Sequence, residues 1–473
     1  MDPILFWNEI ALEANRNSHT TLQDAGSLGP PLSARALAIV HLAIYEAYAG
    51  AKHYPGQLPP YLPGLPLPPL GASPDAAVAA AAKATLNFLH PSQSAFFQAR
   101  YIFHLDGLPP AGIPAGVAFG EAVAAAILAD RNADPGVGDS MYQAPLHRGG
   151  HRKDPDNSSQ PYHAPKYGAL AKCFSVKARH SLDAPPAIDS PEYMAALKEV
   201  RGKGITPELM GSLPGGYPKR TVDETLIGIY WAYDGAAGLG TPPRLYNQIV
   251  RTVAAHRGNT PDENARLFAL VNVAMADAGI LAWADKYKYN LWRPVLAIRE
   301  HDDSMGPQGQ PNNNIHNSCD TNWLPLGAPA TNSIGKKNFT PPFPAYPSGH
   351  ATFGAAALHM TRLFYGVSGS GPDDLLDGLT FYSEEFDGNS YDNRGTVRPR
   401  HARHFPEGLW QMMMENCLSR VYLGVHWVFD SFVRDDQDYP DLSRFVGGLP
   451  LGMRIAEDIF GDSREDGMRK STV

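Results

Sequence analysis

The sequence predicts an all-α protein, two packed helical bundles interrupted by long irregular loops. Helical periodicity dominates along the chain, and the two-residue alternation of a half-buried strand is scarce. The segments 134–189 and 301–347 hold few helical patterns but many Gly, Pro, Asn and His residues, which reads as long loop. Loops of that length inside a helical protein usually carry function.

The elements follow in order. The opening "MDPILFWNEIALEANRN" has no basic leader, and Asn8, Glu9, Glu13 and Arg16 interrupt its apolar run. It reads as an amphipathic helix over 3–16 and not as a signal peptide. A helix over 33–52 opens with Ser33 in the capping position. "AAVAAAAKATLNFLH", from 76, belongs to a helix over 74–89 and is too short and too weakly apolar to span a bilayer. Periodic runs predict further helices over 91–104, 115–132, 190–201, 221–234, 243–256, 260–291, 349–366, 373–386 and 405–433. The proline-rich stretches "LPPYLPGLPLPPL" and "GTPPRLYN" read as ordered connections. No repeat and no charge block divides the chain, which favours packed bundles over a string of domains.

At 473 residues the chain has ample length for a large core. Its net charge of -8 argues against a nucleic-acid binder and against anionic membrane surfaces, so a soluble protein is expected, cytoplasmic or exported without a leader. Cys173, Cys319 and Cys417 are well separated, with no CxxC or Cys-His spacing, so neither a disulfide framework nor a zinc site is indicated.

Three segments carry candidate chemistry. In "WADKYKYNLWRP", Lys286 and Arg293 are seven residues apart, about 20° short of two helical turns, so on one helix they share a face. Pro294 pushes Arg293 out of the helical region, to the helix end. In "PPFPAYPSGHATFGAAA", an extended proline-rich run gives way to a helix at Ser348, Gly349 and His350. A helix start with a hydroxyl, a free amide and an imidazole suits an oxyanion. In "SRVYLGVHWVFD", His426 and Asp430 are four apart, so the carboxylate can hold one imidazole nitrogen and direct the other outward. Arg420, six residues before His426, lies on another face of any single helix, so the two meet one ligand only if the helix wraps past it or begins between them. Each segment alone has a plain structural explanation: a solvated cationic face, a helix cap, an amphipathic helix.

Together they form a signature. K-x6-R-P, PSGH and SR-x5-H-x3-D, in that order, resemble the site shared by vanadium-dependent haloperoxidases and the type 2 phosphatidic acid phosphatase superfamily. "ILFWNEIALEANRNSHT", "GPPLSARALAIVHLAIYEAY", "GIYWAYDGAAGLGTPPRLYNQIVR" and "LPLGAPATN" also resemble vanadium chloroperoxidases of the fungal type. The likeness spans nearly the whole chain, least securely near 53–115, 134–160 and 301–320. It implies one helical domain over 1–473, with an N-terminal half to 200 and a C-terminal half from 201 that carries the site.

What the resemblance implies is a vanadate prosthetic group and Lewis-acid catalysis without a change of metal oxidation state. Lys286, Arg293 and Arg420 would neutralise the equatorial oxygens, and Ser348 and Gly349 would add hydrogen bonds. His426 would be the one covalent ligand to the metal, and His350 the acid–base catalyst, its imidazole titrating near working pH. Lys286 would polarise the bound peroxide, and Asp234 in "YWAYDG" would support the catalytic histidine. Trp283 and Phe343 fall at the halide pocket, which implies oxidation of chloride as well as bromide; core packing is their plain alternative. Lys288 departs from the fungal pattern, which is acidic or neutral there. The implied partners are hydrogen peroxide, halide and small organic nucleophiles, with no nucleic acid and no membrane.

An acid phosphatase would use the same anion contacts, with His426 as nucleophile and His350 as general acid. A helical scaffold that merely binds an anion is a further alternative. "RPRHARHF", with His401 and His404 among Arg398, Arg400 and Arg403, reads as a solvated or salt-bridged approach to the third segment. His147, His151 and His163 sit in a long loop at the edge of a candidate entrance, and Cys417 reads as a small buried residue.

Overall fold

The computed structural model describes residues 1–56, 58–136, 141–465 and 468–473, the side chains of 462–465 apart. Five helices open the chain: α1 (Pro3–Thr21), α2 (Pro30–Ala51), α3 (Pro74–Leu89), α4 (Ser94–Asp106) and α5 (Ile113–Asp130). After a long loop that contains the single turn α6 (Tyr167–Leu170) come α7 (Pro191–Lys203), α8 (Val222–Tyr230), α9 (Pro242–Arg257), α10 (Pro261–Tyr289) and the short α11 (Pro294–Arg299). A second long loop leads to α12 (Gly349–Phe364), α13 (Gly408–Tyr422) and α14 (Gly448–Glu465). Between α12 and α13, β1 (Thr380–Tyr382) pairs antiparallel with β2 (Ala402–His404), the one sheet among the described residues.

Helix α10 organises the rest. A Thr260–Glu263 capping box and Pro261 in the first turn start it, and Asn290 in the left-handed conformation ends it. Its 29 residues span about 43 Å at the ordinary helical rise. From Leu267 to Trp283 they are buried and, Asn272 and Asp277 apart, apolar on every side, the composition of a core helix. It packs on α2, which in turn packs on α3 and α5, and also on α12, which packs on α13 and α14. One hydrophobic core runs from Ile4 to Met468 through both sets of helices. By length and apolarity α5 and α10 could each cross a membrane; α10 is almost wholly buried in this globular protein, α5 about one-third.

Two expected helices take another form. The segment 373–386 forms no α-helix, only a 3-10 turn at Glu384–Phe386: Gly378 adopts a left-handed backbone (φ +71°). The Asp373 carboxylate takes N–H groups of Leu375 and Leu409, and Thr380–Tyr382 enters the sheet. The expected helix over 405–433 stops at Tyr422, because Gly424 turns to φ +73°. A Cβ there would lie 2.5 Å from the Gly204 carbonyl oxygen, so only glycine permits the break. The helix near 33 begins at Pro30, and Ser33 lies inside it, accepting from Asn15 Nδ2 and donating to the Ser27 carbonyl. Helix α14 was not expected; its apolar period is strong, but Gly448, Pro450 and Gly452 in its first turns read as a connection.

Candidate active site

The last turn of α10, the start of α12 and the end of α13 converge. Lys286 sits in the last turn of α10, fully buried. Its ammonium donates to the carbonyls of Pro344 (2.8 Å), Ala345 (3.1 Å) and Pro347. Three acceptors match the three N–H bonds of a protonated lysine. Burial, and next the Arg293 charge, push the Lys286 pKa well down. A bound anion would offset both.

Asn290 ends α10 before Arg293, so Lys286 and Arg293 do not share a helix face. Arg293 caps α11 instead. Its guanidinium is spread over three groups: Nε donates to Phe343 O (2.8 Å), and Nη1 to Val425 O (2.7 Å) and to His426 Nε2 (2.9 Å). Nη2 is buried without a partner.

Arg420, on the last turn of α13, is fully buried and forms a two-pronged pair with Asp234, at 3.0 and 2.8 Å. Its Nε has no partner. The Gly424 break carries the chain back, and the N–H groups of Val425 and His426 donate to the Arg420 carbonyl at 3.1 and 3.3 Å. Arg420 and His426 thus reach one site because the helix ends between them. Asp430 still faces His426 at the expected spacing, though in a single 3-10 turn: Oδ2 accepts from His426 Nδ1 (2.7 Å) and from the Trp427 amide (3.0 Å). With Nδ1 the donor, Nε2 keeps its lone pair. Burial, then the charges of Arg293, Lys286 and Arg420, hold His426 neutral, far below its usual range. Burial pushes the Asp430 carboxyl up to about 7, against the pull of Lys286.

Ser348 caps α12, its Oγ accepting from Ala351 N at 3.4 Å, and its own amide donates to Asp430 O (2.8 Å). That bond ties the helix start to the His426 turn. Gly349 lets the start of α12 approach Trp283, since a Cβ there would lie 3.3 Å from the indole. Trp283 and Phe343 pack at 4.8 Å between centroids, and the Lys286 ammonium lies 5.6 and 5.1 Å from their rings.

His350 departs from expectation in two ways. Its Nε2 donates to the Ala232 carbonyl (2.7 Å), while Asp234 stands 4.0 Å away and serves Arg420 first. Burial, then Arg420, pushes the His350 pKa down to about 3, so without a bound anion its imidazole is neutral and free to accept a proton. Lys288, the departure from the fungal pattern, is half exposed and donates to Ser181 Oγ (2.7 Å).

Several of the contacts around the site were not foreseen, though the histidines that make some of them were singled out. The carbonyls of Pro344, Ala345 and Pro347 solvate Lys286; a signal was available, because prolines bring acceptors without competing N–H groups. His163 underpins the aromatic pair: its carbonyl accepts from Trp283 Nε1 (3.3 Å) and Tyr287 Oη (2.8 Å), and its ring lies 6.3 Å from Phe343. His151 is buried with both ring nitrogens unpartnered, and the charges of Arg293 and Lys286 add to burial in holding it neutral. His401 and His404 lie away from these contacts, near β2, while Arg398 pairs with Glu385 and Arg403 with Glu415. Cys417 is buried, and burial pushes its thiol up to about 12.

Comparison with known proteins agrees with this arrangement. Residues 1–173 match the model of the vanadium chloroperoxidase N-terminal domain, and residues 266–433 that of the vanadium chloroperoxidase second helical-bundle domain. The vanadium chloroperoxidase of Curvularia inaequalis is 34% identical over 97% of this chain and 89% of its own length. The fold is shared with a bacterial vanadium-dependent iodoperoxidase, at TM-score 0.67 and 20% identity over 95% of both chains. It is shared also with a holo-type bacterial vanadium-dependent chloroperoxidase, at TM-score 0.60 and 14% identity over 95% of both chains.

Proposed function

We propose residue roles from one premise: the chain belongs to the vanadium chloroperoxidase family. It is a vanadate-dependent haloperoxidase, carrying out H2O2 + X⁻ + H⁺ → HOX + H2O, after which hypohalous acid halogenates an organic nucleophile. The phosphatase alternative shares the anion contacts but not this family.

The side chains fit vanadate as their anion. Arg293 Nη2 and Arg420 Nε are buried donors without a partner, an arrangement that costs stability unless an acceptor meets them. Lys286, Arg293 and Arg420 bring three positive charges, of which Asp234 offsets one through its pair with Arg420, so the cluster stays cationic toward the anion. The Ser348 hydroxyl and Gly349 amide, at the positive end of α12, add donors. When bound, vanadate supplies a Lewis-acid centre that activates hydrogen peroxide toward halide without changing oxidation state.

The observation that carries the assignment is the His426 imidazole: Nδ1 tied to Asp430, Nε2 unprotonated beside Arg293, and Lys286, Arg420 and His350 all close enough to act on its charge. Nε2 is the atom that would bind the metal. His350 would take the proton of hydrogen peroxide on Nδ1, because its Nε2–H is committed to Ala232 O. Asp234 aims the Arg420 fork and sets the field beside His350. Lys286 would polarise the bound oxidant by exchanging one carbonyl acceptor for it. Trp283 and Phe343 would wall the halide site against water, which supports oxidation of chloride as well as bromide.

The test is His426→Ala. It should abolish vanadate binding in equilibrium dialysis and halogenation of monochlorodimedone, leaving the circular dichroism unchanged. Undiminished halogenation would sink the ligand assignment. Rapid hydrolysis of p-nitrophenyl phosphate by a vanadate-loaded sample without halide oxidation would restore the phosphatase alternative.

A further inference from the structure

Asp234 forms part of the lining of a cavity of about 560 Å³, a size that takes a drug-sized organic molecule. Because Asp234 also pairs with Arg420 and stands 4.0 Å from His350, this cavity adjoins the catalytic groups. Leu22, Pro329 and Phe339 give it apolar wall.

Its charges do not balance. Asp234 is neutralised by Arg420, and Asp156 by Arg299 at 2.7 Å. His19 is neutral, its Nδ1 donating to Asn15 O and its Nε2 accepting from Gly29 N. Lys336 and Lys337 also line the cavity, are exposed, and have no ion-pair or hydrogen-bond partner for their ammonium groups among the described residues. The remaining polar lining, such as Asn157, Gln160 and Ser333, is uncharged. The uncompensated charge is therefore two positive groups, on a chain whose net charge is -8.

We propose that this cavity binds an organic nucleophile that carries a negative charge, an aromatic carboxylate, with Lys336 and Lys337 holding the carboxylate and the apolar wall taking the ring. The proposal rests on the haloperoxidase reading for what happens next. A bound ring meets hypohalous acid where it forms and is halogenated as Ar–H + HOX → Ar–X + H2O, the ring proton leaving with the hydroxyl oxygen. Selectivity then comes from residence in the cavity and not from the reactivity of the acceptor alone.

The experiment compares 4-hydroxybenzoate with its neutral methyl ester, by calorimetric titration of the full-length protein with saturating vanadate and no peroxide. The carboxylate should bind about tenfold tighter than the ester, and less tightly as salt is raised. Lys336→Gln and Lys337→Gln should each weaken it about threefold, and the double variant about tenfold, with ester affinity constant. The kcat/KM ratio of carboxylate to ester in bromination should fall in step. Equal affinity for acid and ester, or a double variant that keeps the difference, would overturn the proposal. A raised bromide KM in the double variant with carboxylate binding untouched would overturn it too, assigning the lysines to halide delivery. The expected binding pattern without any halide oxidation would support this site and count against the haloperoxidase reading alone.

Discussion

Asp430 Oδ2 takes hydrogen bonds from His426 Nδ1 and from the Trp427 amide, and so decides which imidazole nitrogen is presented to a metal. Acceptors of this kind raise ligand basicity and hold the ring's orientation, and their loss costs about 10–100-fold in metal affinity. Asp430→Ala should therefore weaken vanadate binding by about that factor in a direct titration while leaving His426 present. An unchanged affinity would mean that the neighbouring carbonyls alone orient the ring. At this scale the sequence was informative about side-chain types and spacings: Lys286, Arg293, Ser348, Gly349, His350, Arg420 and His426 could all be picked out by residue type and order. It was less informative about their partners. The three carbonyls on Lys286, and the Ala232 carbonyl that displaces Asp234 as the first partner of His350, are backbone atoms brought in by loop geometry. No residue type announces them.

At the scale of elements, the junction of α12 with α14 supports the site from behind. A Cβ on Gly448 would lie 2.6 Å from the Ser348 carbonyl, and one on Gly452 would lie 2.4 Å from the Thr352 carbonyl. The two helices meet with backbone against backbone. Gly452→Val should force them apart and lower stability by about 1–3 kcal/mol, the usual cost of overpacking, read as a drop in Tm. It should also loosen the Ser348 cap, so vanadate affinity should fall with Tm. A stable variant with normal affinity would show that α12 is held by α9, α10 and α13 without α14. Helix α14 was the element least legible in the sequence, although its apolar period is strong: Gly448, Pro450 and Gly452, the small residues that let it pack so closely, read as a turn where the helix in fact begins. The break at Gly424 was hidden differently. Nothing local says that Gly424 meets the Gly204 carbonyl, so the run on either side reads as one helix.

Across the whole molecule, buried imidazoles set the response to acid. Burial is the first cause that lowers His19, His41, His90, His104 and His163 to about 4 and His350 to about 3, from an ordinary 6.5. Between pH 6.5 and 4 the unfolded chain therefore binds protons that the folded chain refuses, and stability falls as the pH drops through that window. Buried carboxyls act in the opposite sense, Asp277 raised to about 6, Asp430 and Glu385 to about 7, and Glu46, Asp154 and Asp285 raised as well, but they are fewer than the lowered imidazoles, which also include His151, His301 and His426. Thermal melts should show Tm declining steadily below pH 6.5. A Tm that rose or held flat to pH 4.5 would mean that these rings are not neutral in the folded protein. The architecture was legible at this scale because α10, α2 and α12 carry strong helical patterns, whereas the long loops around them do not betray their course.

The carbonyl cage around Lys286 has a consequence for how such a protein comes into being. An ammonium ion far from water needs a solvation shell, and here Pro344, Ala345 and Pro347 form one out of the chain itself, much as a crown ether wraps a cation. The polypeptide can thus seal its most charged interior while it is being made and meet its inorganic partner afterwards, as a finished receptacle.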